Sequence, residues 1–319
     1  MSLRLLMMGT GTFALPTFIR LCESPHDVVG LVTQPDRTGR GHHQHVNELK
    51  QAAEQRDLPV FQPASANQAD ALARLREYRA DLFVVAAYGQ ILSAELLAIP
   101  SWGAINVHAS LLPAYRGAAP IVYAVWNGDA QTGVSIFRIR PKLDAGPVLG
   151  MVSTPIGPKE TAGDLEARLA AIAPQLTLDV INQLESGTAA EIAQDASRVT
   201  TAPRLRKEQG EIDWSRPSQA VACHLRAMQP WPKPFTFLHS EGHPPLRLLI
   251  LDAEPVGAGG ADAPPGTLVA ADETAGLLVR TGDGTVRVHC LQPAGKRPMT
   301  AAEFLRGRPL HIGDKFGPG

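Results

Sequence analysis

From residue 3 to residue 87 the chain alternates short apolar runs with amphipathic stretches, and this restricts the fold more than any other feature. Leu3–Met8, Val28–Val32, Leu58–Phe61 and Asp81–Ala87 read as strands. Leu82-Phe83-Val84-Val85-Ala86 is apolar on both faces, as a strand inside a covered parallel sheet must be. Phe13–Cys22, Val46–Arg56 and Ala66–Tyr78 carry helical spacing, and Leu72 and Leu75 share one side of the third. Ser65 and Gln68 stand at capping-box spacing at its start. Strands separated by helices predict a parallel, doubly wound α/β sheet. Further on, Gly133–Arg138 and Val148–Ser153 read as strands bracketing a loop. Thr161–Glu185 reads as a long helix capped by Thr161 and Asp164, which Pro174 should kink or break.

Residues 186–210 lose periodicity and gain polarity. Beyond them Ser218–Met228 looks helical. Short β-type runs follow at Leu246–Leu251, Gly266–Val269, Gly276–Thr281 and Thr285–Leu291, separated by Gly/Pro/Asp clusters. That texture predicts a small barrel. The expected division is an α/β domain over 1–189, a linker over 190–207 and a second domain over 208–319. A length of 319 residues, 44% of them hydrophobic and 19% charged, accommodates two such cores.

The net charge of −1 gives no global nucleic-acid signal, but residues 201–319 hold 14 Lys and Arg against 12 Asp and Glu. This supports a local basic surface. Cys22, Cys223 and Cys290 are scattered, odd in number and without a C-x-x-C spacing. A disulfide framework and a cysteine zinc site are not expected, and a reducing cytoplasm fits best. No apolar run approaches the ~18 residues of a membrane span. The opening Met1–Gly9 reads as a first strand rather than a signal peptide.

The chemistry concentrates at Asn106-Val107-His108-Ala109-Ser110-Leu111-Leu112-Pro113, followed by Ala114-Tyr115-Arg116-Gly117. Two residues apart on an extended segment, Asn106 and His108 point to the same side. An amide can polarise a carbonyl oxygen while an imidazole handles a proton. Gly9-Thr10-Gly11-Thr12-Phe13-Ala14 imitates a dinucleotide-binding turn. The acid such a site needs at the end of the second strand is missing: Val32-Thr33-Gln34 stands there, with Asp36 displaced beyond Pro35. Arg37 and Arg40 on a Gly/Pro loop suit phosphate contact. His42, His43 and His45 follow without a carboxylate partner and read as solvent-exposed rather than metal ligands.

The motif N-x-H-x-S-L-L-P with R-G after it, and Leu143-Asp144-Ala145-Gly146 downstream, resembles the folate-dependent formyltransferases. The resemblance implies Asn106, His108 and Asp144 as the catalytic set. It implies a Rossmann-like formyltransferase domain followed by an OB-like barrel. Val84-Val85-Ala86-Ala87-Tyr88-Gly89-Gln90-Ile91-Leu92 is similar to family sequence beside the pterin pocket. Tyr88, Gly89, Gln90, Ile91 and Leu92, with Ser110, Leu111, Leu112 and Pro113, are the implied folate contacts. Glu211-Ile212-Asp213-Trp214, Gln229-Pro230-Trp231-Pro232 and Leu291-Gln292-Pro293-Ala294-Gly295-Lys296 resemble the C-terminal part of the branch acting on methionyl-tRNA. That implies 10-formyltetrahydrofolate as cosubstrate, no metal, initiator methionyl-tRNA as acceptor, and neither a membrane nor a protein partner. Arg37, Arg40, Arg204, Arg206, Lys207, Lys296 and Arg297 are the candidate RNA contacts. The loop departs from the family's usual lysines at His42 and His43. A sugar-nucleotide or other small-molecule amine stays open as the alternative acceptor.

Overall fold

The computed structural model describes residues 2–36, 47–257, 263–272 and 276–319. The chain divides into two compact units. The first comprises Met1–Ile121, Gln131–Pro155 and Leu165–Pro203. The polar segment 190–203, expected to belong to a linker, is therefore part of it.

The alternation gives β1 (Arg4–Gly9), α1 (Leu15–Cys22), β2 (Asp27–Val32), α2 (Glu48–Glu54), β3 (Val60–Phe61), α3 (Ala69–Glu77), β4 (Leu82–Ala86), α4 (Ala94–Leu97) and β5 (Ala104–His108). After them come β6 (Arg116–Gly117), α5 (Pro120–Trp126), β7 (Gln131–Arg138), β8 (Val148–Pro155), α6 (Ala162–Ser186) and β9 (Thr201–Ala202). The main sheet has the order β3-β2-β1-β4-β5-β7-β8. β1 to β5 are parallel throughout, with β4 fully buried. β7 runs antiparallel to both β5 and β8, so the sheet is mixed rather than wholly parallel. Residues 139–147 join β7 to β8 by a hairpin, too short for the dozen or more residues of a parallel crossover.

Two local expectations change. The N-cap of α3 is Gln68, which makes no side-chain cap, and Ser65 contributes only its carbonyl, which accepts from Gln68 N at 3.5 Å. α6 runs unbroken through Pro174. Buried Leu165, Leu169 and Ala173 before the proline, and Val180 and Ile181 after it, hold both halves to the core. Packing outweighs the local penalty there. The Thr161 cap forms as expected, with Asp164 N donating to Thr161 Oγ1 at 3.2 Å and Thr161 N donating to Asp164 Oδ2 at 3.1 Å.

The second unit comprises Val122–Ala130, Ile156–Asp164 and Arg204–Gly319. It contains α7 (Ser218–Ala227), β10 (Phe235–His239), β11 (Leu246–Val256), β12 (Leu268–Asp272), β13 (Gly276–Arg280), β14 (Thr285–Pro293), β15 (Met299–Thr300), α8 (Ala301–Gly307) and β16 (Lys315–Gly317). The antiparallel order is β12-β13-β14-β11-β10-β16, and a Thr267–Lys315 bridge brings the last strand back to the first. The sheet thus curls around a core of Trp214, Leu238, Leu248, Ile250, Val286, Leu291, Phe304 and Phe316. The 122–130 segment joins this unit through Trp126, whose ring lies 5.3 Å from that of buried His224. No helix among the described residues is long and apolar enough to cross a membrane.

Candidate active site

In a parallel sheet of this order the strands reverse direction of succession between β1 and β4. Ligand crevices form outside the carboxyl ends at such a point. β5 ends one strand beyond that point, on the far side of β4, with Asn106 opposite Val85 of β4 and opposite Phe137 of β7. Ile105 and Val107 are fully buried, and the pleat turns Asn106 and His108 together to the other face. Asn106 is half-buried, and its side-chain amide has no hydrogen-bond partner among the described residues. It is free to donate.

His108 is buried, its ring edge-on to Phe137. Nε2 lies 3.0 Å from the Tyr115 carbonyl oxygen. A carbonyl only accepts, so Nε2 carries the hydrogen and Nδ1 presents a lone pair. Nδ1 is 4.0 Å from Asp144 Oδ2, beyond a direct hydrogen bond but close enough for charge attraction. Burial pushes the imidazole pKa below its ordinary value, opposed by the Asp144 carboxylate and the Tyr115 carbonyl. The neutral base form therefore prevails at neutral pH.

Asp144 sits on the β7–β8 loop in the left-handed region at φ 46°. Its Oδ2 accepts from Gly117 N at 2.7 Å. Two glycines make this possible. A Cβ on Gly117 (φ 125°) would stand 2.5 Å from the Ala202 carbonyl, and one on Gly146 would stand 1.7 Å from that of Arg138. Gln194 Oε1 accepts from Arg116 Nε at 3.0 Å and Nη2 at 2.7 Å. Its Nε2 donates to the carbonyls of Asp144 at 2.8 Å and Gly146 at 2.7 Å. Thr200 Oγ1 accepts from Tyr115 N at 2.8 Å, and β6 pairs with β9. Gln194 and Thr200 lie in the stretch read as linker and were not candidates from the sequence. The R-G pair of the motif was the one available pointer to what grips them.

Ser110–Pro113 forms a turn stapled to β7. Ser135 Oγ donates to Ser110 O at 2.6 Å and accepts from Leu112 N at 3.0 Å, and Ser110 Oγ donates to Ala114 O at 2.6 Å. Leu112 is buried, while Leu111 and Pro113 are half-buried. Beyond β4, Ala87 (φ 48°) and Gly89 (φ 81°) turn the chain. Tyr88 is buried, its hydroxyl unpartnered and its pKa pushed up to about 12 by burial. It presents only backbone, and its carbonyl accepts from Gln34 Nε2 at 2.8 Å. Gln90 accepts from Ala66 N at 2.8 Å, and Leu92 is core, whereas Ile91 is 77% exposed. The free surfaces of this segment are its backbone and Ile91.

At the Gly9-Thr10-Gly11 turn, Thr10 Oγ1 accepts from Gln34 N at 3.3 Å, and a Cβ on Gly9 would meet Ala14 at 2.9 Å. The glycine serves close packing. Asp36 pairs with Lys50 at 2.6 Å and accepts from Gln62 at 3.0 Å, and these partners hold its carboxyl below the usual range. No free acid awaits a ribose there. Among the described residues no cluster of three His, Cys, Asp or Glu is placed to hold a metal.

Arg37, Arg40, His42, His43 and His45 lie outside the described residues. In the second unit Arg204, Arg206 and Lys207 are exposed and make no ion pair with described residues. Lys296 is exposed, and Arg297, also exposed, faces Glu303 at 3.4 Å.

Residues 2–181 match the formyl transferase family model, and residues 204–309 match that of the formyl transferase C-terminal domain. The chain belongs to the formyl transferase family. The formyltransferase is 43% identical to a methionyl-tRNA formyltransferase of Roseiflexus castenholzii, over 99% of this chain and 100% of that one. Solved structures share the fold at lower identity. HypX from Aquifex aeolicus in complex with tetrahydrofolic acid superposes with a TM-score of 0.62 at 16% identity, over 96% of this formyltransferase and 47% of that chain. An N-formyltransferase from Helicobacter canadensis, in complex with folinic acid and dTDP-3-aminofucose, gives 0.64 at 15% identity, over 90% and 98%.

Proposed function

We propose that this formyltransferase moves the formyl group of 10-formyltetrahydrofolate onto the α-amino group of initiator methionyl-tRNA, in the cytoplasm, for translation initiation. The observation that carries the chemistry is an unpartnered amide, Asn106, beside an imidazole whose free Nδ1 faces a carboxylate at 4.0 Å. Full-length likeness to a methionyl-tRNA formyltransferase supports the acceptor.

The steps balance on these groups. The amine nitrogen attacks the formyl carbon, and the carbonyl oxygen gains negative charge as the new C–N bond forms. The Asn106 amide donates to that oxygen, where a fixed donor is worth most. Nδ1 of His108 takes the proton the amine must lose, and the Asp144 carboxylate stabilises the resulting imidazolium. Collapse breaks the bond between the formyl carbon and N10 of the folate. The imidazolium returns its proton to N10, leaving tetrahydrofolate and the formylated amine. Folate is a cosubstrate, and these steps need no metal. The backbone of Tyr88–Leu92 and the Ser110–Pro113 turn are the proposed walls of the pterin pocket. Arg37, Arg40, Arg204, Arg206, Lys207, Lys296 and Arg297 are the proposed contacts to RNA phosphates.

The second reading, a sugar-nucleotide amine as acceptor, is favoured by the fold shared with the Helicobacter canadensis protein. One assay separates the two. The protein is mixed with 10-formyltetrahydrofolate and, in parallel, methionyl-tRNA, free methionine and a dTDP-aminosugar. Formylation of methionyl-tRNA alone is expected. Preferential formylation of the sugar overturns the assignment.

A further inference from the structure

Gly117 holds the Asp144 carboxylate, but Gln194 holds the backbone that carries it. Every hydrogen-bonding position of the Gln194 amide is used, two from Arg116 and two to the carbonyls of Asp144 and Gly146. A saturated amide fixes its own rotamer and the separation of the groups it joins. Arg116 stands between Tyr115, whose carbonyl orients His108, and Gly117, whose N–H binds Asp144. One side chain thus ties the segment gripping both groups to the loop carrying one of them. Asp144 needs such support, because a non-glycine residue at φ 46° persists only when its surroundings enforce it. On its far side, Gly146 packs against the Arg138 carbonyl and leaves no slack.

We propose, resting on the formyl-transfer reading above, that Gln194 is a positioning residue that sets the Asp144 carboxylate opposite Nδ1 of His108. It touches no substrate and acts through the loop. Gln194→Met keeps the chain length and removes all four hydrogen bonds. Gln194→Glu keeps the acceptor for Arg116 but loses both donors to the loop.

Both variants are assayed on methionyl-tRNA as the full chain, with folding checked by thermal melting. A displacement of ~1 Å at a reacting group lowers rate by up to ~10²-fold, so kcat should fall by roughly 10–10²-fold in Gln194→Met. KM for the formyl donor should hold. Moving the carboxylate away removes a charge that favours the imidazolium, so the acid limb of the kcat–pH profile should move to lower pH. A purely structural defect lowers the active fraction without moving that limb. In an Asp144→Asn background the same substitution should cause little further loss, because the charge it positions is gone. Wild-type kcat with an unmoved acid limb in either folded variant overturns the proposal. So does an equal loss in both backgrounds. If Gln194→Met does not fold, kcat in Gln194→Glu decides. If Asp144→Asn itself keeps full activity, the catalytic reading of Asp144 fails whatever Gln194 does.

Discussion

Two segments meet at the centre, and they are built differently. β5 and its turn, Ala104 to Pro113, display the reacting groups from a fully paired, buried strand. The stretch from Glu191 to Ala202 has only a single 3-10 turn, Ala196–Arg198, and the two-residue β9, and is mostly exposed, yet it ties that display in place. Glu191 bonds Arg138, Ile192 bridges Val148, Gln194 spans Arg116 and the Asp144 loop, Thr200 holds Tyr115, and β9 pairs with β6. The difference shows that a site can take its functional groups from rigid sheet and their registration from irregular chain. Damage to β5 should abolish chemistry. Damage to the clasp should detune it.

The largest effects belong to β5. His108→Ala removes the general base and should lower kcat by roughly 10²–10⁴-fold. Asn106→Ala removes one oxyanion donor and should lower kcat by roughly 10²–10³-fold. Asn106→Ala should leave thermal stability nearly unchanged, since Asn106 has no described partner, whereas His108→Ala also loses a buried ring and its bond to the Tyr115 carbonyl and should lower the melting temperature as well. Near-normal kcat in either variant would show that β5 is scaffold rather than machinery.

Next comes the pH dependence that joins β5 to its support. Burial depresses the His108 pKa, and the base form is the active one. Rate should therefore stay level down to the ordinary imidazole value near ~6.5 and fall only as pH drops through the depressed value. Asp144→Asn removes a charge that raises this pKa. It should lower kcat and carry the acid limb further down. A limb that moves up, or stays, would mean that Asp144 does not act on His108 electrostatically.

Gly117→Ala tests the clasp. The new Cβ meets the Ala202 carbonyl at 2.5 Å, at a φ of 125° that L-residues rarely adopt. The strain is about 1–3 kcal/mol, to be read as a lower melting temperature. Because Gly117 N binds Asp144, kcat should fall with it. A stability loss with unchanged kcat would separate the clasp from the chemistry.

The unequal legibility of the two segments has a physical basis. Apolar runs such as Leu82–Ala86 announce buried strands because burial is written in side chains, and Asn106 and His108 stood out through residue type and spacing. The clasp works through backbone groups, one glutamate, one glutamine and one threonine, so its composition matches a loop. β7 reads as a strand, but only its antiparallel pairing with β8 follows from the hairpin closure at 139–147, and its direction against β5 is set by the long connection from β5, neither of which periodicity encodes. Pro174 signalled a break that packing overrode. α8 was missed although its capping box is spelled out by Thr300 and Glu303, both of whose reciprocal bonds form. β10 hid behind its prolines, and its alternation over Phe235–His239 is short.

The smallest effects should lie just beyond the clasp, and they sharpen the comparison most finely. Arg204, Arg206 and Lys207 follow Ala202 almost at once, are exposed, and make no ion pair with described residues. If they meet RNA phosphates, each phosphate left unneutralised by a substitution should reduce the log–log salt dependence of methionyl-tRNA KM by about 0.7–0.9. Lys207→Ala should therefore raise that KM and flatten its salt dependence, with kcat and formyl-donor affinity unchanged. Arg40→Ala should act likewise on KM. Arg297 already faces Glu303 at 3.4 Å, so Arg297→Ala should shift the slope less than Lys207→Ala. Steady-state kinetics at three or more salt concentrations give all three slopes. A fall in kcat for Lys207→Ala, with KM held, would extend the clasp past Ala202 and assign this stretch to registration instead of RNA. Kinetics untouched by all three substitutions would leave the basic residues without a role and favour a small-molecule amine as acceptor.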